Sequence, residues 1–296
     1  MPPNTTELRS WGRLRAHGTA VPVFWREDVP FTRGPAPYLA YGLGRSYGDS
    51  CLNDGGTALL TRRLDRFLAL DERTGILRCE AGVSFAEILA LTVPRGFYLP
   101  VVPGTKHVTV GGAIANDVHG KNHHRAGTFG AHVRSLELLR STGERLECSP
   151  ARNAPLFAAT VGGLGLTGLV LSAEIQLRRI ASAHVAQEAV PLRNLDHFFE
   201  VAAASDASNE FTVAWVDCLA RGDALGRGVF FRGDFAEGPP VSGRPPKRAH
   251  LRVPFELPFS PLNRVTLKAF NALYGARYRG KTGTHLVHHE PFFFPL

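Results

Sequence analysis

The side chains with the greatest chemical potential lie together between Val101 and Gly130. This stretch, VVPGTKHVTVGGAIANDVHGKNHHRAGTFG, holds six glycines, four histidines and two lysines. His119, Lys121, His123 and His124 can hold or move a proton, polarise a hydroxyl or bind a metal. They follow Gly111-Gly112-Ala113-Ile114-Ala115-Asn116, whose small residues permit close backbone approach to a flat ring. Glycine costs conformational entropy unless special geometry or close approach requires it. A glycine-dense run beside ionisable side chains therefore points to backbone wrapped around a ligand rather than to an ordinary core element. A second glycine loop lies upstream, Gly42-Leu43-Gly44-Arg45-Ser46-Tyr47-Gly48-Asp49, and a third downstream, Gly162-Gly163-Leu164-Gly165-Leu166-Thr167-Gly168. Three such loops suggest one large cofactor held at several points.

Each motif also has a plainer reading. His119 and His123 would share a face if a helix carried both. Gly120 works against that helix and no carboxylate offers itself as a third ligand, so no metal is expected. Gly163-x-Gly165-x-x-Gly168 matches the dinucleotide fingerprint in form, and Glu188 follows twenty positions on. That fingerprint needs a strand before it and a helix after it. Here the order is reversed, so a Rossmann unit is rejected; the loop can still approach a cofactor, and the plainer alternative is a tight turn between a helix and a strand. The first loop follows a strand. Successive N–H groups in such a turn form an anion nest suited to a pyrophosphate, with Arg45 adding charge or supporting the loop.

The elements that position these loops read as alternating short strands and helices. Pro37 to Tyr41, Thr57 to Leu60 and Ile76 to Glu80 are strand-like. Ser84 is a fitting N-cap for a helix with Phe85, Ile88 and Leu89 on one face. Val133 to Arg140 and Arg145 to Cys148 read as a hairpin. Ala154 to Val161 is helical and Leu169 to Leu177 alternates as a strand. Composition shifts after about Arg179. There, Asp196 to Ala204 reads as an amphipathic helix, and Phe211 to Val216 and Val229 to Arg232 as strands. A proline-rich stretch over 234–263 reads as a long loop, and the closing PFFFPL as an apolar, strand-like end that needs cover.

At 296 residues and 44% hydrophobic content the chain is long enough for two domains. Apolar runs fall short of the ~20 residues that a membrane span needs. The first residues lack the apolar core of a secretory signal, and cytoplasmic residence is the expectation. Cys51, Cys79, Cys148 and Cys218 show no CxxC spacing, which points to reduced thiols. Net charge is +8, and 29 of the 34 basic residues are arginine. That excess suits a phosphorylated ligand or an anionic surface. No basic recognition helix, finger spacing or aromatic ribonucleoprotein signature is present, so nucleic acid is not expected as a partner.

Taken together, GLGRSYGDS, VVPGTKHVTVGGAIANDVHGKNHH, TFGAHVRSLELL and GGLGLTGLV resemble the vanillyl-alcohol-oxidase (PCMH-type) FAD-binding domain. The resemblance is strong from Pro37 to Arg179 and looser from Phe211 to Leu296. It implies an α+β protein: a PCMH-type FAD-binding domain of two α/β subdomains over 1–180, then an incomplete α+β substrate domain over 181–296. It implies that Gly42, Gly44, Arg45, Ser46, Tyr47, Gly48 and Asp49 wrap the cofactor with the downstream segment. In that segment the contacts would be Pro103, Gly104, Thr105, Thr109, Gly111, Gly112, Ala115, Asn116 and His119. Gly163, Gly165 and Gly168 would close around the other side. Tyr47, His119 and Lys121 would line the active site near the flavin ring. Some relatives tether flavin through a histidine of the first loop; none is present here, so the FAD is expected to be non-covalent.

The activity implied is FAD-dependent oxidation of the 2′-hydroxyl of a polyprenyl-phospho-ribose to a keto sugar. That step is half of an epimerisation in cell-wall arabinan precursor synthesis. It brings the expectation of a short-chain reductase partner and of peripheral contact with the plasma membrane. The alternatives are oxidation of another sugar alcohol or aldonolactone, or an inactive truncated or split fragment that binds FAD weakly. The last arises because members of the family are longer and carry a catalytic lysine that no residue here matches.

Overall fold

The computed structural model describes residues 5–29, 34, 36–238, 260, 262–278, 280 and 283–295. The chain divides into two compact units, Met1–Ile180 and Ala181–Leu296.

The first unit opens with the hairpin β1 (Thr5–Arg9) and β2 (Arg15–Pro22), followed by β3 (Tyr38–Tyr41) and β4 (Thr57–Leu60). These form a mixed sheet of order β1-β2-β4-β3, in which β2 and β3 flank β4 in parallel. The chain continues through β5 (Phe67–Asp71), β6 (Ile76–Glu80), α1 (Phe85–Thr92), β7 (Phe97–Tyr98), α2 (Val110–Ala115) and α3 (His123–Ala126). It closes with β8 (Val133–Leu139), β9 (Arg145–Cys148), α4 (Ala154–Thr160), β10 (Leu169–Gln176) and β11 (Arg178–Arg179). The second sheet, β5-β6-β10-β8-β9, is antiparallel throughout, and β7 pairs with β11. The two-subdomain α+β architecture is thus present, with α/β character confined to the first sheet.

Local chemistry explains the elements. Ser84 caps α1 through a full capping box: its Oγ accepts from Glu87 N, and the Glu87 carboxylate accepts from Ser84 N at 2.8 Å. Phe85, Ile88 and Leu89 are buried on one face, as the spacing predicts. β10 does not alternate between buried and exposed; almost all of it is buried, because α2 packs on a central strand. Val21 and Leu59 from the first sheet join Leu139, Leu169 and Leu171 from the second in one core cluster with Val23 and Leu64. Full burial of such a side chain stabilises by roughly 1.5–3 kcal/mol. Beside this core, Arg26 bridges Glu80 (3.2 Å) and Glu137 (3.0 Å), while Arg66 holds Glu80 at 3.1 Å. The deeply buried Glu80 carboxylate is therefore paired, as burial of a charge requires.

The second unit contains β12 (His184–Leu192), α5 (Leu195–Ser208), β13 (Phe211–Val216), β14 (Gly228–Phe235), α6 (Arg264–Tyr278), β15 (Thr284–His288) and α7 (His289–Phe293). Its antiparallel sheet has the order β13-β14-β12-β15. Successive residues of β14 point to opposite faces. Phe230 meets Phe198 of α5, whereas Phe231 meets Tyr278 of α6 and Phe235 meets Phe293 of α7. So α5 covers one face, and α6 and α7 cover the other.

Two expectations change here. Asp234 and Phe235, assigned to the long proline-rich loop, complete β14, while residues 239–259 and 261 of that loop lie outside the described residues. The PFFFPL end is not an exposed strand. Phe292, Phe293 and Phe294 are buried, and the Phe293 ring lies 4.9 Å from that of Phe211. His288 Nδ1 accepts from Glu290 N, and Pro291 falls in the first turn of α7, where its missing N–H costs nothing.

Candidate cofactor-binding and active site

The first glycine loop leaves β3 at Tyr41. Gly44 has φ +60°, and a Cβ there would overlap the Tyr41 hydroxyl, which donates to Arg9 O at 2.7 Å. Arg45 donates to Leu43 O at 2.7 Å and its guanidinium lies 4.8 Å from the Trp11 ring centroid. Trp11 N donates to Ser46 O at 2.9 Å. The loop is therefore held by its carbonyls and by Arg45, whose role as a support is visible. Its amides are treated differently. From Leu43 through Asp49, no backbone N–H donates to an acceptor among the described residues. At the surface such donors face solvent or a ligand, and a glycine-rich run of open N–H groups is the chemistry of an anion nest. These residues fit a pyrophosphate. Gly48 and Asp49 are exposed, and Tyr47, 81% exposed, stands at the tip.

The second segment splits into parts with different roles. Gly104 is exposed with open space where a Cβ would be, beside half-buried Pro103 and Thr105. Thr109 caps α2, its Oγ1 accepting from Gly112 N at 3.2 Å. Contrary to expectation, Val110 to Ala115 is an ordinary core element: Val110, Ala113 and Ile114 are fully buried. Gly111 permits close packing of α2 on the turn after β6, since a Cβ there would lie 3.1 Å from Ala81 Cβ. The first α2 amides are consumed by protein, Val110 N by Val83 O and Gly111 N by Ala81 O. The open amides thus belong to the first loop and not to this helix start. Asn116 is exposed at the helix end and donates to Gly112 O at 2.8 Å.

Beyond α2 the chain turns at Asp117 (φ +41°), whose Oδ1 accepts from Gly130 N at 2.8 Å. His119 is exposed and bridged to Thr128 in extended conformation, so it shares no helix with His123. The two rings lie 5.6 Å apart, edge to face. His123 and His124 are exposed on α3. Lys121 is half-buried, and burial alone pulls its ammonium down to a pKa of about 8. Buried Asn122 fixes the turn by donating to Pro100 O at 2.9 Å. Among the described residues, no group of three or more His, Cys, Asp or Glu could hold a metal ion.

The third loop is a brace. Helix α4 precedes it and strand β10 follows, the reverse of the Rossmann order. Gly162 N and Leu164 N donate to Ile114 O (2.9 Å) and Ala115 O (2.8 Å), satisfying the last carbonyls of α2. Gly163 is needed because a Cβ would overlap Ala159 O. A Cβ on Gly165 would lie 3.6 Å from Leu39 of β3, and one on Gly42 would lie 2.6 Å from Thr109 Oγ1. All three loops thus converge on α2. Gly168 meets the Leu139 carbonyl at the entry to β10. Trp11, Asp117 and Asn122 were not legible as site-building residues. Each acts through one backbone or ring contact that no local pattern announces.

Comparison with known proteins supplies an independent finding. Residues 32–149 match the family model described as FAD binding domain. They include the first loop and the His119–Lys121 segment, and stop short of the third. Over 247 residues the chain is 39% identical to decaprenylphosphoryl-beta-D-ribose oxidase of Mycolicibacterium smegmatis, covering 80% of this chain and 53% of that protein. It is 29% identical over 181 residues to alditol oxidase of a Streptomyces species, covering 60% of this chain and 42% of the relative. It is also 31% identical over 129 residues to human Delta(24)-sterol reductase, covering 44% and 25%. The chain spans about half the length of the M. smegmatis relative.

Proposed function

We propose that this chain, whose residues 32–149 match an FAD binding domain, forms the flavin-binding part of an oxidoreductase acting on a secondary alcohol. FAD, when bound, supplies a two-electron acceptor for a hydride from carbon. The observation that carries the reading is the row of seven open amides, Leu43 to Asp49, on a loop that abuts the same helix from which His119 and Lys121 follow. The amides hold a diphosphate. Lys121, with a pKa of about 8, exists in both charged and neutral forms near neutral pH. Charged, it draws an alkoxide-like oxygen or a phosphate oxygen; neutral, it accepts the hydroxyl proton. His119 stands two residues away with an exposed imidazole, suited to orienting the same hydroxyl.

The substrate proposed is a polyprenyl-phosphoryl ribose oxidised at its 2′-hydroxyl, supported by the name of the M. smegmatis relative. The keto sugar that results requires a reductase to complete an epimerisation. A polyprenyl tail places the reaction at a membrane, here proposed as the cytoplasmic face. Similarity to alditol oxidase supports a second reading, oxidation of a soluble sugar alcohol. Anaerobic titration of the flavin-loaded protein separates them. Bleaching of the flavin band by a polyprenyl-phosphoryl-ribose analogue and not by xylitol is the expected result. Bleaching by xylitol alone selects the second reading, and bleaching by neither rejects both.

A further inference from the structure

Helix α6 is a fifteen-residue helix without one buried residue. Its inner face is nevertheless well defined. Asn271 donates to Asp217 at 2.6 Å, Tyr274 packs on Trp215 with centroids 4.6 Å apart, and Tyr278 meets Phe231 at 5.2 Å. These positions, spaced i, i+3 and i+7, form one stripe on the sheet. The opposite face is also apolar: Val265 is 77% exposed and Leu273 74%, with Ala269, Ala272 and Ala276 exposed beside them. Leu262 and Phe270 are exposed beside this face. Single exposed apolar residues are ordinary, whereas a contiguous strip marks an interaction surface.

Charge identifies the occupant. From Leu257 to His289 the sequence has no Asp or Glu, yet carries Arg264, Lys268, Arg277, Arg279 and Lys281. Arg264 and Lys268 line an open cleft together with Val265 and Ala269. Exposed aliphatic side chains beside cations are the composition of a helix lying in a membrane interface. The cations meet anionic headgroups while the aliphatic side chains enter the acyl boundary. No helix among the described residues is long and apolar enough to cross a membrane. We propose that the outer face of α6, centred on Val265, Lys268 and Leu273, docks this protein on an anionic phospholipid surface. The inference does not rest on the redox reading.

The test is co-sedimentation of the flavin-loaded full chain with vesicles of phosphatidylcholine, alone or with 30% phosphatidylglycerol. Wild type should partition at least tenfold more strongly onto the anionic vesicles and be released by 0.5 M NaCl, at which exposed charges are screened. The double variant V265E/L273E should lose at least tenfold of this binding. Lys268→Gln, which removes one cation and leaves the apolar strip intact, should lose about fivefold. Flavin content and far-ultraviolet circular dichroism should match wild type in both variants. Equal partition onto both vesicle types, or anionic binding unaffected by V265E/L273E, overturns the proposal. Conversion of a wild-type dimer to a monomer by V265E/L273E, with vesicle binding unchanged, also overturns it by showing that the face seats a second copy. Flavin bleaching is read separately, so failure on vesicles leaves the catalytic reading standing, and the converse holds.

Discussion

Lys121 is the residue at which burial and chemistry meet. Its folded pKa is about 8 against 10.5 for the free side chain, so between those values the unfolded chain binds more protons. The cost of burying the ammonium is therefore fully present below pH 8 and is relieved as pH rises to about 10.5. Lys121→Met should flatten the rise of stability between pH 8 and 10.5, measured by thermal melts across that range. The same change should lower turnover at least tenfold if Lys121 handles the hydroxyl proton. Arg45 makes the opposite case, a charge spent on structure. With its guanidinium on Leu43 O and over Trp11, Arg45→Met should weaken FAD binding by about tenfold, while circular dichroism stays unchanged. An FAD titration followed by fluorescence quenching measures this.

Among the elements, α1 rests on its capping box. Ser84→Ala removes the Oγ acceptor for Glu87 N, and the expected loss is about 1 kcal/mol, read from urea denaturation. Burial works against the Glu87 carboxylate, yet hydrogen bonds from Ser84 and Arg62 hold its pKa below the usual value. This helix was legible because cap and apolar spacing agree. The β8–β9 hairpin was legible for a similar reason, two strand-like runs around a Ser-Thr-Gly-Glu turn. Helix α2 was not, because paired glycines argue for a loop. The missed signal was Thr109, a cap three residues before Gly112, and the decisive force is burial of Val110 and Ile114 against β10. Helix α6 escaped for another reason. Apolar residues on both of its faces blur the 3.6-residue period, although Asn263 Oδ1 accepts from Val265 N and Thr266 N as an N-cap should. At the site, residue types and loop positions could be read; which amides were open and which were spent could not, because that depends on partners distant in sequence.

At the scale of the molecule, the region that matches the FAD binding domain model lies within the first compact unit. A ligand that binds only the folded state stabilises it by mass action. FAD at a hundred times its dissociation constant should add about 2.7 kcal/mol to that unit. Differential scanning calorimetry with and without FAD should show the gain. Acid precipitation should release all the flavin into the supernatant, because the first loop has no histidine to tether it. Flavin retained on the pellet would contradict the non-covalent assignment. The second unit hides Phe292, Phe293 and Phe294 under its own sheet, so its last helix is not expected to drive aggregation.

The open amides of the first loop have a consequence in time. With no protein acceptor among the described residues, Leu43 to Asp49 should exchange hydrogen for deuterium within seconds in the flavin-free protein. With diphosphate oxygens seated on them, the same peptides should exchange orders of magnitude more slowly, while the α2 amides, already bonded to Val83 and Ala81, barely change. The loop is in effect a clock for cofactor occupancy. Mass spectrometry could read from it the residence time of FAD on each molecule.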